Sequence, residues 1–209
     1  SCPGLKVIAN YAVGYNNIDL AAAKRRRIVV TNTPGVLTET TADLTWALIM
    51  AVSRRVVEGD HLVRSGKWSG WSPTQLLGND ISGKTLGIIG MGRIGQAVAR
   101  RACGFGMKVI YFSRRRIKLK IERTLEAVRL PLSELLTKSD FVSLHVPLTS
   151  ETYRLIGRKQ FAQMKKTASF INTARGELID EQALRRAIEK GIVAGAGLDV
   201  FEVEPPTDW

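Results

Sequence analysis

Cysteine is scarce in these 209 residues: Cys2 and Cys103 are the only two, far apart and in no metal-ligand spacing. That excludes a disulfide scaffold and a cysteine-based metal module, and it fits a reducing cytoplasm. Histidine is as rare, with His61 and His145 alone, and no metal site is expected. Long apolar runs are absent as well. None approaches the roughly 18 consecutive apolar residues of a membrane span, and the longest, residues 44–52 interrupted by Thr45, suits a buried helix. No basic-then-apolar leader opens the chain, so no membrane partner is expected. Neither an internal repeat nor a low-complexity tract occurs. Acids are short against bases, 19 against 31, leaving a formal charge of +12 that could signal nucleic-acid binding. The basic clusters at 24–27 and 114–129 lack zinc-finger spacing, an aromatic platform or a heptad basic region. The first also sits where cations complement a helix C-terminus. Nucleic acid is therefore not expected as a partner.

The sequence does contain Thr85-Leu-Gly-Ile-Ile-Gly-Met-Gly-Arg-Ile-Gly95, followed by apolar residues at helical spacing to Cys103 and then by Met107-Lys-Val-Ile-Tyr-Phe-Ser113. This reads as strand, tight turn, helix, strand, all within the length of about 30 residues expected of a βαβ unit. Gly90 turns the chain, Gly92 lets a pyrophosphate approach the backbone, and Gly95 lets the helix sit close on the strand. With Arg93 and Ile94 between them, these residues are the candidate dinucleotide grip, the phosphate meeting free N–H groups at the helix start. Cys103 is read as a small core residue of that helix.

The end of the second strand refines the cofactor. NAD-selective sites place an acid about 20 residues beyond the glycines, where it accepts the ribose 2′-hydroxyl. Ser113, Arg114 and Arg115 stand there instead, and a hydroxyl with guanidinium groups suits a 2′-phosphate. NADP(H) is thus expected over NAD(H). Arg116, Lys118 and Lys120 are read as solvated loop charges.

Short buried strands are expected at residues 5–9 and 28–31, joined through a helix that Asp19 or a neighbour caps. After the break at Thr33-Pro34-Gly35 a single long helix should run from near Thr38 to about Arg64. An irregular arm with Trp68, Trp71 and Pro73 fills residues 65–82, and exposed tryptophans there call for a partner surface. Strands at 140–146, 168–172 and 194–200 alternate with helices at 158–164 and 180–190. The alternation predicts an α/β fold with a doubly wound parallel sheet, a Rossmann-like dinucleotide-binding domain. At 209 residues there is room for one good core plus a piece of a second. The front strands have too few neighbours nearby for a buried parallel sheet, so residues 1–32 are expected to be the end of an incomplete domain and residues 33–209 the dinucleotide domain.

Ordered motifs along nearly the whole chain resemble the D-2-hydroxyacid dehydrogenase family, and within it the glyoxylate and hydroxypyruvate reductases. The resemblance rests on Val7-Ile-Ala-Asn-Tyr-Ala-Val-Gly-Tyr-Asn-Asn-Ile-Asp19, Thr31-Asn-Thr-Pro-Gly35, the glycine unit from Gly83, His145-Val-Pro-Leu-Thr149, Ile171-Asn-Thr-Ala-Arg-Gly176 and Gly197-Leu-Asp-Val-Phe-Glu-Val-Glu-Pro205. It implies a flavodoxin-like substrate domain, of which the front residues are a remnant, and reduction of a small 2-oxoacid. Arg175 would bind the substrate carboxylate and polarise its carbonyl, and Glu204 would hold a catalytic histidine acid. Val13 and Gly14 would offer backbone N–H groups to the carboxylate. Asp199 would lie on the nicotinamide side, with Thr41, Pro147, Thr152 and Thr173 against the cofactor. The long helix from Thr38 and the Trp68/Trp71 arm lead one to expect a homodimer.

One departure bears on activity. The family's histidine acid is expected beyond Trp209, and neither His61 nor His145 is expected to replace it. A positioned acid contributes roughly 10²–10⁴-fold in rate. A dinucleotide-sensing scaffold without turnover, like the family's corepressor relatives, is therefore the alternative reading. A smaller departure is Arg27, where the resemblance leads one to expect glycine.

Overall fold

The computed structural model describes residues 2–206, so the outer ends of both expected domains, Ser1 and residues 207–209, lie outside the description. The described residues form two parallel sheets. The smaller pairs β1 (Val7–Ala9) with β2 (Val29–Thr31), joined by α1 (Leu20–Arg25). The larger has six strands, β3 (Thr85–Ile89), β4 (Lys108–Phe112), β5 (Ala127–Arg129), β6 (Phe141–Leu144), β7 (Ser169–Asn172) and β8 (Gly195–Leu198), in the spatial order β5-β4-β3-β6-β7-β8. All its pairings are parallel, which is the doubly wound α/β arrangement that the alternation of elements implied.

Helices cover both faces of the larger sheet. On one lie α2 (Thr38–Ser53) and α4 (Arg93–Ala102), on the other α6 (Leu132–Lys138), α7 (Arg158–Phe161) and α8 (Glu181–Glu189). Gly95, Ala97, Val98, Ala99 and Ala102 are buried on α4, and this run of small side chains lets α2 approach closely. Trp46 of α2 stacks on Phe105 at 4.6 Å and donates its indole N–H to the Val98 carbonyl at 3.1 Å, so the largest ring at the contact leaves no polar atom unpaired. Beneath the other helices Phe161 packs edge-on against Phe170, 5.4 Å away.

Asp19 does cap α1, accepting the Ala22 N–H at 2.8 Å, an interaction worth about 1 kcal/mol. Arg27 follows with φ +56°, a left-handed conformation that costs a non-glycine residue about 1–2 kcal/mol. The residue departs from the resemblance at a position where glycine would relieve strain.

Several expectations need correction. The front strands are not buried: Val7 is 52% and Val29 58% exposed, with α1 the main element packed on their sheet. Residues 44–52 form an amphipathic stretch, with Leu44 and Met50 facing solvent. The single helix expected to run to Arg64 is two, α2 and α3 (Val56–Arg64), broken at Arg55 with φ +52°. The cause is distant in sequence. The Ser53 carbonyl that would continue the helical ladder accepts the Asn79 N–H at 2.8 Å, and Gly78 lies so close that a Cβ would come within 2.3 Å of the same oxygen. Helix α7 is a single turn, shorter than expected. Cys103 is exposed rather than buried, because α4 ends at Ala102 and a 3₁₀ turn swings it outward.

Between β4 and β6 the structure adds α5 (Leu119–Thr124), β5 and α6, none of which the sequence reading placed.

Candidate active-site crevice

Because all strands of the larger sheet are parallel, the ends of β3, β6, β7 and β8 open on one edge, and the winding reverses between β3 and β6. Open α/β sheets bind ligands at such a point. Gly90 occupies it, with φ +100°, and a Cβ there would come within 2.4 Å of the His145 carbonyl oxygen. Gly95 is as constrained, since its Cβ would meet the Gly90 carbonyl oxygen at 2.2 Å.

Gly92 is different. It caps α4 with ordinary negative φ, and a Cβ on it would meet nothing within 4 Å. Gly92 is exposed, so protein packing leaves the backbone here open to the approach of a group such as a pyrophosphate. No side chain caps α4, and its first internal bond runs from the Gln96 N–H to the Gly92 carbonyl, leaving the N–H groups of Arg93, Ile94 and Gly95 without a helical acceptor. Free donors at the positive end of a ten-residue helix, beside an open space, suit a dinucleotide phosphate.

Beyond β4 the Ser113 hydroxyl donates to the Arg115 carbonyl at 2.6 Å, and Arg114 forms an ion pair with Glu151 at 2.5 Å. Arg115 is exposed. Arg116 is exposed, as expected, but it is not a free charge. It pairs at 2.7 Å with Glu122, which is only 6% exposed and also accepts the buried Tyr111 hydroxyl. The bonds from Arg116 and then Tyr111 hold the Glu122 carboxyl below the usual carboxylate range. Lys118 is the cap that precedes α5 and Lys120 lies in its first turn rather than in a loop, and both are exposed, as expected.

Arg175 follows β7. Its turn is shaped by buried Asn172, whose side chain donates to the Arg175 carbonyl at 2.8 Å and accepts the Ala174 N–H at 3.0 Å. The Arg175 guanidinium reaches the front loop: Nε donates to Asn16 Oδ1 at 3.1 Å, and Nη2 lies where a Cβ on Gly14 would be 1.9 Å away. That loop is tied down by side chains. Asn10 Nδ2 donates to the Gly14 carbonyl at 2.7 Å and Asn32 Nδ2 to the Val13 carbonyl at 2.9 Å. The structure therefore brings Arg175, Val13 and Gly14 together from positions about 160 residues apart.

Thr173 and Thr41 converge on α2, where the Thr45 hydroxyl meets the Thr173 hydroxyl at 3.0 Å and donates to the Thr41 carbonyl at 2.8 Å. Thr152 folds its own loop, donating to the Pro147 carbonyl at 2.6 Å and accepting the Thr149 N–H at 2.8 Å. Asp199 leaves β8 at the same edge. Desolvation and, after it, the nearby Glu204 charge push its carboxyl above the usual range. Glu204 is exposed and accepts the Phe201 N–H at 3.0 Å.

His61 is exposed on α3, away from this edge. His145 follows β6, with Nε2 2.8 Å from the Ser143 hydroxyl, and burial lowers its pKa to about 4. It is a neutral, structurally engaged ring. Sequence reasoning missed Asn10, Asn16, Asn32 and Asn172, whose signal was asparagine clustered at strand ends, where its amide can bond turn backbone. It also missed Glu151 and Arg129, which carried no local signal.

A glycine turn at the reversal of a parallel sheet, with an open helix start and a clamped arginine at the same edge, defines a Rossmann-like dinucleotide-binding protein. The comparisons agree with that class and narrow it. Residues 46–209 match the family model for the NAD binding domain of D-isomer specific 2-hydroxyacid dehydrogenases. A glyoxylate reductase of Korarchaeum cryptofilum is 57% identical over 206 residues, covering 98% of this chain and 62% of that relative. Among solved structures, a Thermus thermophilus protein superposes with a TM-score of 0.91 at 54% identity, covering 98% of this chain and 63% of that one. A glyoxylate reductase from Paecilomyes thermophila does so with a TM-score of 0.90 at 42% identity, covering 99% and 61%. The chain belongs to the D-isomer specific 2-hydroxyacid dehydrogenase family. It spans about 62% of the length of the curated relative just described.

Proposed function

We propose that this chain forms the cofactor-binding and substrate-clamping part of an oxidoreductase that reduces a small 2-oxoacid, glyoxylate or hydroxypyruvate, to the D-2-hydroxyacid with NADPH preferred over NADH. The observation that carries the reading is the position of Arg175: one guanidinium, held at the same sheet edge as the glycine turn, faces the backbone of Gly14. A planar fork of donors suits a carboxylate bound in two-point fashion. The names of relatives at 57% identity support the substrate class.

In this reading the N–H groups of residues 93–95 hold the pyrophosphate, and Ser113, Arg114 and Arg115 receive the 2′-phosphate. Thr41, Pro147, Thr152 and Thr173 border the cofactor, and Asp199 faces the nicotinamide. A bound reduced nicotinamide supplies the hydride. Arg175 and the Val13–Gly14 backbone fix the carboxylate, so that the substrate carbonyl is presented in one orientation and its growing negative charge is met by the guanidinium. Glu204 would orient the histidine acid that the family resemblance implies beyond Trp209. Residues 1–32 would belong to the substrate domain and residues 33–209 to the dinucleotide domain.

The decisive experiment is turnover by the full-length protein, followed as loss of nicotinamide absorbance with each acid and each cofactor. Arg175→Gln is expected to lower kcat/KM for glyoxylate on the order of 10²-fold with NADPH affinity unchanged. Failure to reduce either acid with either cofactor overturns the reading. The exposed Val56, Val57, Val63, Trp68 and Trp71 near α3 and the following arm favour a homodimer in a reducing cytoplasm. A monomeric mass by light scattering would refute the dimer.

A further inference from the structure

We infer that Glu151 tunes cofactor choice by competing with the 2′-phosphate for Arg114. The inference rests on the cofactor reading above and adds a residue to it. Arg114 lies in the turn after β4, and Glu151 in the loop after β6. Since β3 lies between β4 and β6, their ion pair bridges the carboxyl end of β3, where the glycine turn begins. It spans the side of the crevice along which the adenosine half of the dinucleotide would run.

Both ends of this bridge are built on fixed backbone. Arg129 Nη2 donates to the carbonyls of Ser113 at 2.9 Å and Arg114 at 3.2 Å, while Arg116 is anchored on Glu122. Glu151 stands in the loop that the Thr152 hydroxyl ties to Pro147 and Thr149. The bond between the two anchored segments is itself labile. Arg114 and Glu151 are 68% and 67% exposed, and an ion pair so open to solvent is weak. Their encounter uses Nη1 of Arg114, and the partner it meets carries a single negative charge.

The two cofactors should respond differently. A ribose 2′-hydroxyl is neutral and cannot draw Arg114 away, so NADH leaves the pair intact. A 2′-phosphate carries close to two negative charges and offers more acceptor oxygens, so it can take the guanidinium. In doing so it must displace the Glu151 carboxylate and then lie near it, like charge against like. Glu151 thereby restrains a preference that Arg114 creates.

Fluorescence titration of the full-length protein with NADPH and with NADH tests this. Glu151→Gln keeps the size of the side chain and removes its charge. NADPH should bind about three- to tenfold more tightly to that variant, NADH affinity should change less than about twofold, and the gain should shrink as salt rises from about 50 to 300 mM. Arg114→Ala should weaken NADPH selectively and, combined with Glu151→Gln, should shrink the gain to the part that comes from removing a negative charge beside the phosphate. Unchanged or weaker NADPH binding to Glu151→Gln overturns the inference while leaving the cofactor reading standing, provided that Arg114→Ala still weakens NADPH. If Arg114→Ala leaves the ratio of NADPH to NADH affinity untouched, the role of Arg114 and the inference fall together. An equal gain for both cofactors would mean that Glu151 acts through general charge, which also overturns the inference.

Discussion

The front segment, residues 2–32, and the larger sheet are held in place by different physics. Around the larger sheet, apolar side chains fill two clusters, one under α2 and α4 and one under α6 to α8, with Leu86, Ile88, Ile89, Phe170 and Ile171 wholly inaccessible. In the front segment Ala23 is the only buried apolar side chain among the described residues, and Tyr11 is 99% exposed. What orders its loop at residues 10–17 is a set of hydrogen bonds, from the Asn10 and Asn32 amides to backbone carbonyls and from Arg175 to Asn16. A core fixes one half of the proposed site, and polar tethers the other.

The sharpest way to break this contrast is to remove one large side chain from each region. Phe170→Ala should cost about 3–5 kcal/mol in urea unfolding of the full-length protein, the range for a buried aromatic, whereas Val29→Ala should cost less than about 0.5 kcal/mol. Equal losses would show that the front strands are buried by something that the described residues do not include.

Acid should act next, and on the larger sheet. The His145 pKa lies near 4, below the ordinary 6.5 of an unfolded chain, so the unfolded state takes up the proton first as pH falls. Stability is whole above about pH 6.5 and is lost on going down towards pH 4, by about 2 kcal/mol between pH 7 and pH 5. Unfolding midpoints across that interval, with His145→Asn as reference, measure it. A slope that survives in the variant assigns the effect to another group.

Smaller still is the effect of a tether. Asn32→Ala should cost about 1 kcal/mol, the worth of one hydrogen bond. The loss should appear as faster amide hydrogen exchange in residues 10–17, with little change in the global unfolding midpoint. A shift in the global midpoint of the size expected for Phe170→Ala would erase the distinction between the two regions.

The same contrast governs how much could be read from the sequence. Around the larger sheet, apolar strands buried on both faces give near-continuous runs, and β3, β4, β6 and β7 were legible for that reason, whereas β8, in which only Gly197 is buried, lacks that signature. The glycine turn and the arginine after β7 were legible because each follows such a strand. The segment from α5 to α6 was not. Its strand β5 lies at the sheet edge with only Ala127 buried, and the surrounding Lys and Arg side chains hide the pattern. The buried Glu122, which accepts bonds from Tyr111 and Arg116, reads in one dimension as part of a charged loop. The break at Arg55 was hidden because a loop some 25 residues later imposes it. At the site, Arg175 could be named from its motif. That its guanidinium would be shared with Asn16 and seated on Gly14 depends on a contact across the whole chain, which no local spacing encodes.

The open space over Gly92 separates two demands that usually coincide. A selection that scores only folding would reject side chains at Gly90 and Gly95, where backbone oxygens stand 2.4 and 2.2 Å from a new Cβ, yet it would tolerate alanine at position 92. A selection that scores retention on an immobilised dinucleotide would reject alanine there too. The two tolerance maps would part at one residue in a motif of three glycines, and that residue would mark the atom-scale footprint of the ligand on the protein's own sequence.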